Sequence, residues 1–169
     1  MVSFCSKLTA RELPRAKSRP RTESRAVGKA AQAFNVTNQL NEYYPSYLMG
    51  NLVLPPTAIK DAESVGPCAQ TFTVVRCQDQ AMEVTYGYPD DDRDKGHVDP
   101  ETASRVLLNT GDMFRIPPGN SYRLENHSKE TEAYLTWVII RPNTLQEQQQ
   151  QQQEEEEAEE EGSDEDEVE

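Results

Sequence analysis

Side chains suited to metal or nucleophilic chemistry are scarce in this sequence: two histidines, His97 and His127, and three cysteines, Cys5, Cys68 and Cys77, among 169 residues. A metal centre draws three or four nitrogen, sulfur or carboxylate ligands from short, recognisable spacings. His97 lies in the polar stretch PDDDRDKGHVDP and His127 in a turn, and neither has a second histidine at ligand spacing. Both are expected to be exposed, unligated imidazoles. The cysteines are odd in number and form no CxxC pair, which reads as reduced structural thiols in an intracellular protein. No metal and no cofactor is expected. Acid–base chemistry without a metal leaves Tyr86, Tyr122 and Arg76 as candidates to face an interior. The only general bases at hand would be the two loop histidines. Tyr122 is therefore expected to fill space, its hydroxyl finding a buried partner.

These residues sit on short strands with turn punctuation. Thr71–Arg76 alternates with Phe72 and Val74 on one side, and Ala81–Tyr88 puts Met82, Val84, Tyr86 and Tyr88 on one face. After the Asp-, Gly- and Pro-rich loop Pro89–Pro100 come Arg105–Leu108, Asp112–Ile116, Ser121–Asn126 and Ala133–Ile140, separated by turn-rich stretches. Six short strands without a convincing core helix predict an all-β sandwich or barrel. The last strand carries Ala133, Leu135, Trp137 and Ile139 on one face and Tyr134, Thr136, Val138 and Ile140 on the other. Apolar on both faces, it needs cover on both. One cover is the core. The other is either the aromatic lead-in over Asn38–Met49 (Tyr43, Tyr44, Tyr47) or a second subunit.

The two ends differ from this middle. Residues 1–29 hold eight Lys/Arg against Glu12 and Glu23, whereas 144–169 hold thirteen Asp/Glu and no Lys or Arg. The net charge of −13 thus conceals a dipolar chain. Residues 1–37 are expected to form a disordered basic arm, too poor in large apolar side chains to offset the entropy of ordering. The alanines at 26, 30, 31 and 33 allow a short helix over Arg25–Phe34. The arm suits nuclear import or non-specific phosphate contact through Arg11, Arg15, Lys17, Arg19, Arg21, Arg25 and Lys29. Residues 38–143 form the domain, and 144–169 a disordered Gln/Glu-rich acidic tail that acts as a solubilising extension. The longest mostly apolar run, Tyr134–Ile140, is far short of the roughly 20 residues of a membrane helix. No membrane partner is expected, nor export, since no secretory signal stretch opens the sequence.

Gly111 to Asn126 reads GDMFRIPPGNSYRLEN. Gly111 opens a tight turn before a strand, and Pro117–Pro118–Gly119 supplies a fixed φ followed by a freely turning residue. The spacing of Gly111, Pro117, Gly119 and Asn126 resembles the second conserved motif of the cupin superfamily, G-x5-P-x-G-x2-H-x3-N, with Tyr122 in place of the histidine. The resemblance implies a cupin jelly-roll barrel. Metal-binding cupins add a His-x-His pair and a glutamate in a first motif; the corresponding Thr73–Tyr88 contains no histidine. Some cupin-fold sugar epimerases work without metal, so a barrel that binds or isomerises a small sugar or acid is the alternative. A pocket lined by Tyr, Arg and carboxylate groups would favour it, and one plugged by apolar side chains would not.

From Asn51 to Asn143, with TFTVV, LLNTGDMFRIPPGNSYRLENHS and LTWVIIRPN, the chain is similar to the C-terminal cupin domain of the centromere protein C family, above all its fungal forms. The shared core is GD-x-F-x-[IV]-P-x-GN-x-Y, here Gly111, Asp112, Phe114, Ile116, Pro117, Gly119, Asn120 and Tyr122. The resemblance implies a non-enzymatic homodimerisation module of an inner-kinetochore scaffold. It implies a nuclear, centromeric location and, as partners, a second copy, other kinetochore proteins and centromeric chromatin or DNA. Tyr134, Leu135, Trp137, Val138, Ile139 and Ile140 are the residues expected to form the core and the dimer contact. The family's nucleosome-binding motif, arginine-rich with an aromatic pair, has no match, because no Trp or Tyr precedes Tyr43.

Overall fold

Alternating apolar side chains make short strands here, and pairing sorts them into two sheets. The computed structural model describes residues 7–14, 26–36, 46–90 and 97–142. Ten strands follow in chain order: β1 (Arg11–Glu12), β2 (Lys29–Val36), β3 (Tyr47–Leu54), β4 (Ile59–Ser64), β5 (Ala69–Arg76), β6 (Met82–Gly87), β7 (Ser104–Leu108), β8 (Met113–Ile116), β9 (Ser121–Asn126) and β10 (Ala133–Ile140). One sheet has the order β1-β2-β3-β10-β5-β8 and the other β4-β9-β6-β7. A parallel bridge between Val27 and Ile59 ties them along one side, the Ile59 amide donating to the Ala26 carbonyl at 3.1 Å. The inner faces meet in one core that includes Leu52, Leu54, Phe72, Met82, Leu124 and Leu135.

The six strands that alternation predicts are β5 to β10, and β9 and β10 have the predicted bounds. The register also sorts the last strand as its pattern requires. Leu135 stands opposite Leu52 and Val74, both buried, while Val138 stands opposite Met49 and Thr71 on the outer face.

The earlier stretch departs from expectation. Instead of a disordered arm with a short helix over Arg25–Phe34, residues 7–14 and 26–36 supply β1 and β2, so the packed domain takes in residues before 38. Alanine favours a helix over other ordinary residues by no more than about 0.7 kcal/mol per residue. Pairing along β3 and burial of Val27 and Ala31 outweigh that preference. The end of the aromatic lead-in becomes β3, and the polar-looking β4 pairs with β9. Residues 15–25, 37–45, 91–96 and 143–169 lie outside the described residues, and with them Arg15, Lys17, Arg19, Arg21, Arg25, Tyr43, Tyr44 and the acidic tail. No helix among the described residues is long and apolar enough to cross a membrane.

Candidate functional site

The glycine–proline motif builds the corner from which β9 enters the barrel. Gly111 (φ 95°) and Gly119 (φ 76°) occupy the left-handed region that side chains avoid. The Gly111 amide donates to the Val74 carbonyl at 2.8 Å, and the Val74 amide returns a bond to Asp112 at 2.9 Å. The Asp112 carboxylate accepts the Asn109 amide at 2.7 Å, which fixes the turn before β8. Beyond the corner, the Gly119 amide donates to the Gly66 carbonyl at 2.7 Å and the Val65 amide to that of Asn120 at 2.9 Å. At the far end of β9, the buried Asn126 side chain donates to the carbonyls of Leu54, Pro55 and Thr131 and accepts from the Ser128 amide.

Between those two anchors Tyr122 points into the barrel, fully buried. Its ring tilts against Phe72 at 5.4 Å, and Phe72 stacks on Phe114 at 4.8 Å. Its hydroxyl donates to Glu63 Oε1 at 2.9 Å. The same oxygen lies 2.8 Å from Lys60 Nζ, and that ammonium sits 4.0 Å from the centroid of the Tyr122 ring. Lys60 is only 5% exposed, because the β4–β9 register sets it opposite Leu124 on the inner face. Burial pulls the Lys60 pKa below its usual value, and the Glu63 charge opposes that only in part. Burial first, and then the Glu63 charge, push the Tyr122 phenol well above its usual range, so it stays protonated and donates. A hollow of about 150 Å³ remains beside this group, with Gln70, Leu13, Trp137 and Ile139 among its walls.

Of the three side chains suggested for the interior, Tyr122 alone reaches the centre of the barrel. Tyr86 is half-buried at the margin of the core. Arg76 instead lies on the outer face, 4.4 Å over the ring of Tyr134 opposite it. A β-bulge between Tyr134 and Leu135 sets that pairing. The hollow is therefore neither apolar-plugged nor lined by arginine: its charged wall is the Lys60–Glu63 pair, which nothing in the sequence pattern marks.

His127 is exposed, as its turn position predicts, and lies beside two carboxylates. Its Nε2 lies 3.1 Å from Glu83 and its Nδ1 3.5 Å from Glu125, while Arg105 forks onto Glu83 at 2.9 Å and Arg123 meets Glu125 at 2.7 Å. Glu83 and Glu125 face each other directly across the β6–β9 pair. Like charges so placed repel, and the guanidinium groups of Arg105 and Arg123 offset this. Desolvation raises the Glu83 pKa, but hydrogen bonds from His127, Arg105 and Thr85 outweigh it and leave the carboxyl below its usual value. Among the described residues no group of three His, Cys, Asp or Glu is placed to hold a metal. Cys68 and Cys77 are free thiols, and burial raises that of Cys77. Cys5 lies outside the described residues.

The six-stranded sheet turns a second, largely apolar face outward. Across β2, β3 and β10 the register aligns Phe34 with Met49 and Val138, and Val36 with Tyr47 and Ile140. Met113 of β8 is exposed beside Thr73 on the same side. Leu135, Trp137 and Ile139 of β10 face inward. Arg11 and Lys29 are exposed on paired strands.

No protein-family model and no curated protein matches this sequence. Solved structures do. The Schizosaccharomyces pombe Cnp3 cupin domain is 21% identical, over 73% of this chain and 70% of that one, with a TM-score of 0.50. A predicted oxalate decarboxylase from Thermotoga maritima is 15% identical, over 84% and 100%, with a TM-score of 0.52. The Drosophila melanogaster CENP-C cupin domain is 13% identical, over 82% and 76%, with a TM-score of 0.49. The likeness is one of fold: the chain is an all-β cupin jelly roll.

Proposed function

We propose that this chain is a non-enzymatic homodimerisation module of a centromere protein C-like inner-kinetochore scaffold, acting in the nucleus at centromeric chromatin. The observation that carries this reading is the outward apolar face formed by Phe34, Val36, Tyr47, Met49, Val138 and Ile140. Contiguous apolar faces of this kind mark interaction sites, and a second copy presents the same face in return. The fold likeness to the Cnp3 cupin domain supports the assignment, as does Tyr122 standing where the metal-binding motif has histidine. The cations of the arm, Arg11 and Lys29 among them, contact DNA phosphates without reading sequence. Other kinetochore proteins are the remaining partners.

A stable dimer buries on the order of 1,200–2,000 Å², so the protein runs as a dimer in multi-angle light scattering at micromolar concentration. Val138→Asp puts a charge at the centre of the outer face, and the variant runs as a folded monomer. A monomeric wild type, or a tagged protein absent from centromeres in dividing cells, overturns the reading.

A further inference from the structure

We propose that the basic groove formed by β1 and β2 beside Trp137 is a docking site for the chain's own acidic tail, residues 146–169. The groove, about 540 Å³, is walled by Lys7, Thr9 and Arg11 on one side and by Trp137 on the other, with Ala30 and Gln32 between them. The register explains the hollow. Gln32, Gly50 and Trp137 stand in one row across β2, β3 and β10. The glycine in the middle of that row leaves the sheet surface bare, and the indole lies against it. In the neighbouring row Arg11 stands opposite Ala30, whose side chain is too short to fill the space.

Charge selects the occupant. Lys7 and Arg11 are exposed, and among the described residues that line the groove none is acidic. Glu12, next to Arg11, belongs to the opposite face of the sheet, where Lys29 stands across from it. Residues 144–169 carry thirteen Asp/Glu and no Lys or Arg, in runs at 154–157, 159–161 and 164–167. A concave strip lined by cations draws in the oppositely charged chain. The direction of the strands brings the two together. β2 and β10 run the same way, each antiparallel to β3, and β1 runs against them. Going back from Arg11 to Lys7 therefore leads toward the end of the sheet where β10 stops at Ile140 and the tail begins. Trp137 and Pro142 are five residues apart, about 17 Å of extended chain. Twelve residues separate Pro142 from Glu154, a reach of up to about 40 Å. Such a tether holds the acidic runs beside the groove at an effective concentration on the order of millimolar. Arg11 is one of the cations given to DNA in the proposed function, so a docked tail shields it from phosphate. The docking itself stands without that function and without the dimer.

Trp137 is the chain's one tryptophan and lines the groove, so its emission reports occupancy. Two synthetic peptides are titrated at low ionic strength: residues 146–169, and the same peptide with every Glu and Asp replaced by Gln and Asn. Each is added to the intact chain and to a chain ending at Leu145, which keeps every described residue. The acidic peptide is expected to change Trp137 emission of the shortened chain saturably, with the neutral peptide at least tenfold weaker. The intact chain, its groove already filled, should bind the added acidic peptide at least tenfold more weakly than the shortened one. Lys7→Glu together with Arg11→Glu, both exposed positions, should weaken the shortened chain's binding at least tenfold. No saturable change, equal binding of the neutral peptide, a folded charge-reversed chain that binds as before, or an intact chain that binds as tightly as the shortened one overturns the proposal. If the charge-reversed chain lacks native circular dichroism, the contrasts between peptides and between chain lengths decide. A DNA duplex that saturates the Trp137 change while the acidic peptide leaves it unmoved gives the groove to nucleic acid and also overturns the proposal. Light scattering on the same samples keeps the outcome separate from that of the dimer.

Discussion

Gly50 stands opposite Trp137 across the β3–β10 pair, and a Cβ at Gly50 would come within 2.6 Å of the indole and 2.1 Å of the Ala31 carbonyl. The absent side chain lets the indole lie against β3 while β2 closes on its other side. Gly50→Ala must push backbone or ring aside. The expected cost is about 1–3 kcal/mol, as for overpacked cores, read as a lower midpoint in urea unfolding together with a shifted Trp137 emission maximum.

Asn126 joins β9 to the end of β3 and to the turn after itself through three donated bonds and one accepted bond. Asn126→Ala strands buried carbonyls, each of which costs about 1–3 kcal/mol when left unsatisfied. A loss of about 2–4 kcal/mol is expected in chemical unfolding, and Asn126→Asp, which removes the amide donors at nearly constant shape, should fall in the same direction.

Tyr122 separates packing from hydrogen bonding. Tyr122→Phe keeps the ring against Phe72 and removes the hydroxyl that bonds Glu63, so the loss should be about 0.5–1.5 kcal/mol. Tyr122→Ala empties the centre of the core, with an expected loss of about 3–5 kcal/mol. Equal losses in the two variants would show that the hydroxyl, rather than the ring, holds the barrel.

Glu83 makes stability depend on acid. Its folded-state pKa lies below the ordinary value of 4.5, so the folded protein binds that proton less readily than the unfolded chain. The resulting stability is present above pH 4.5 and is lost as pH falls through the folded-state value. Thermal melts of the wild type and Glu83→Gln should therefore differ at neutral pH and converge as the pH falls below the folded-state pKa of Glu83. Melting curves that stay equally far apart at low pH would remove Glu83 from the acid response.

The half of the fold from β5 onward is legible because its strands alternate cleanly and are separated by Gly, Pro and Asn. What precedes it is not. β2 is rich in alanine, whose helix preference yields to pairing with β3. β4 reads IKDAES, a surface-like string whose Lys60 turns inward only through its register with β9. The site divides the same way. Tyr122 follows from motif spacing, and its hydroxyl finds a partner as expected, although that partner, Glu63, is half-exposed rather than buried. The inward Lys60 is not legible, because lysine is almost never buried unless paired, and its turn toward the core shows only once β9 lies beside β4. His127 gained its partners likewise, from a Glu83–Glu125 juxtaposition that no local pattern records.

In the six-stranded sheet β10, the last of the described strands, lies between β3 and β5 and so fills a central slot. During synthesis β1 to β3 on one side and β5 with β8 on the other emerge first, with nothing to join them. Each then exposes a bare edge of backbone donors and acceptors, the kind of edge that recruits foreign strands. A stop codon ahead of Ala133 would therefore leave two half-sheets that cannot meet.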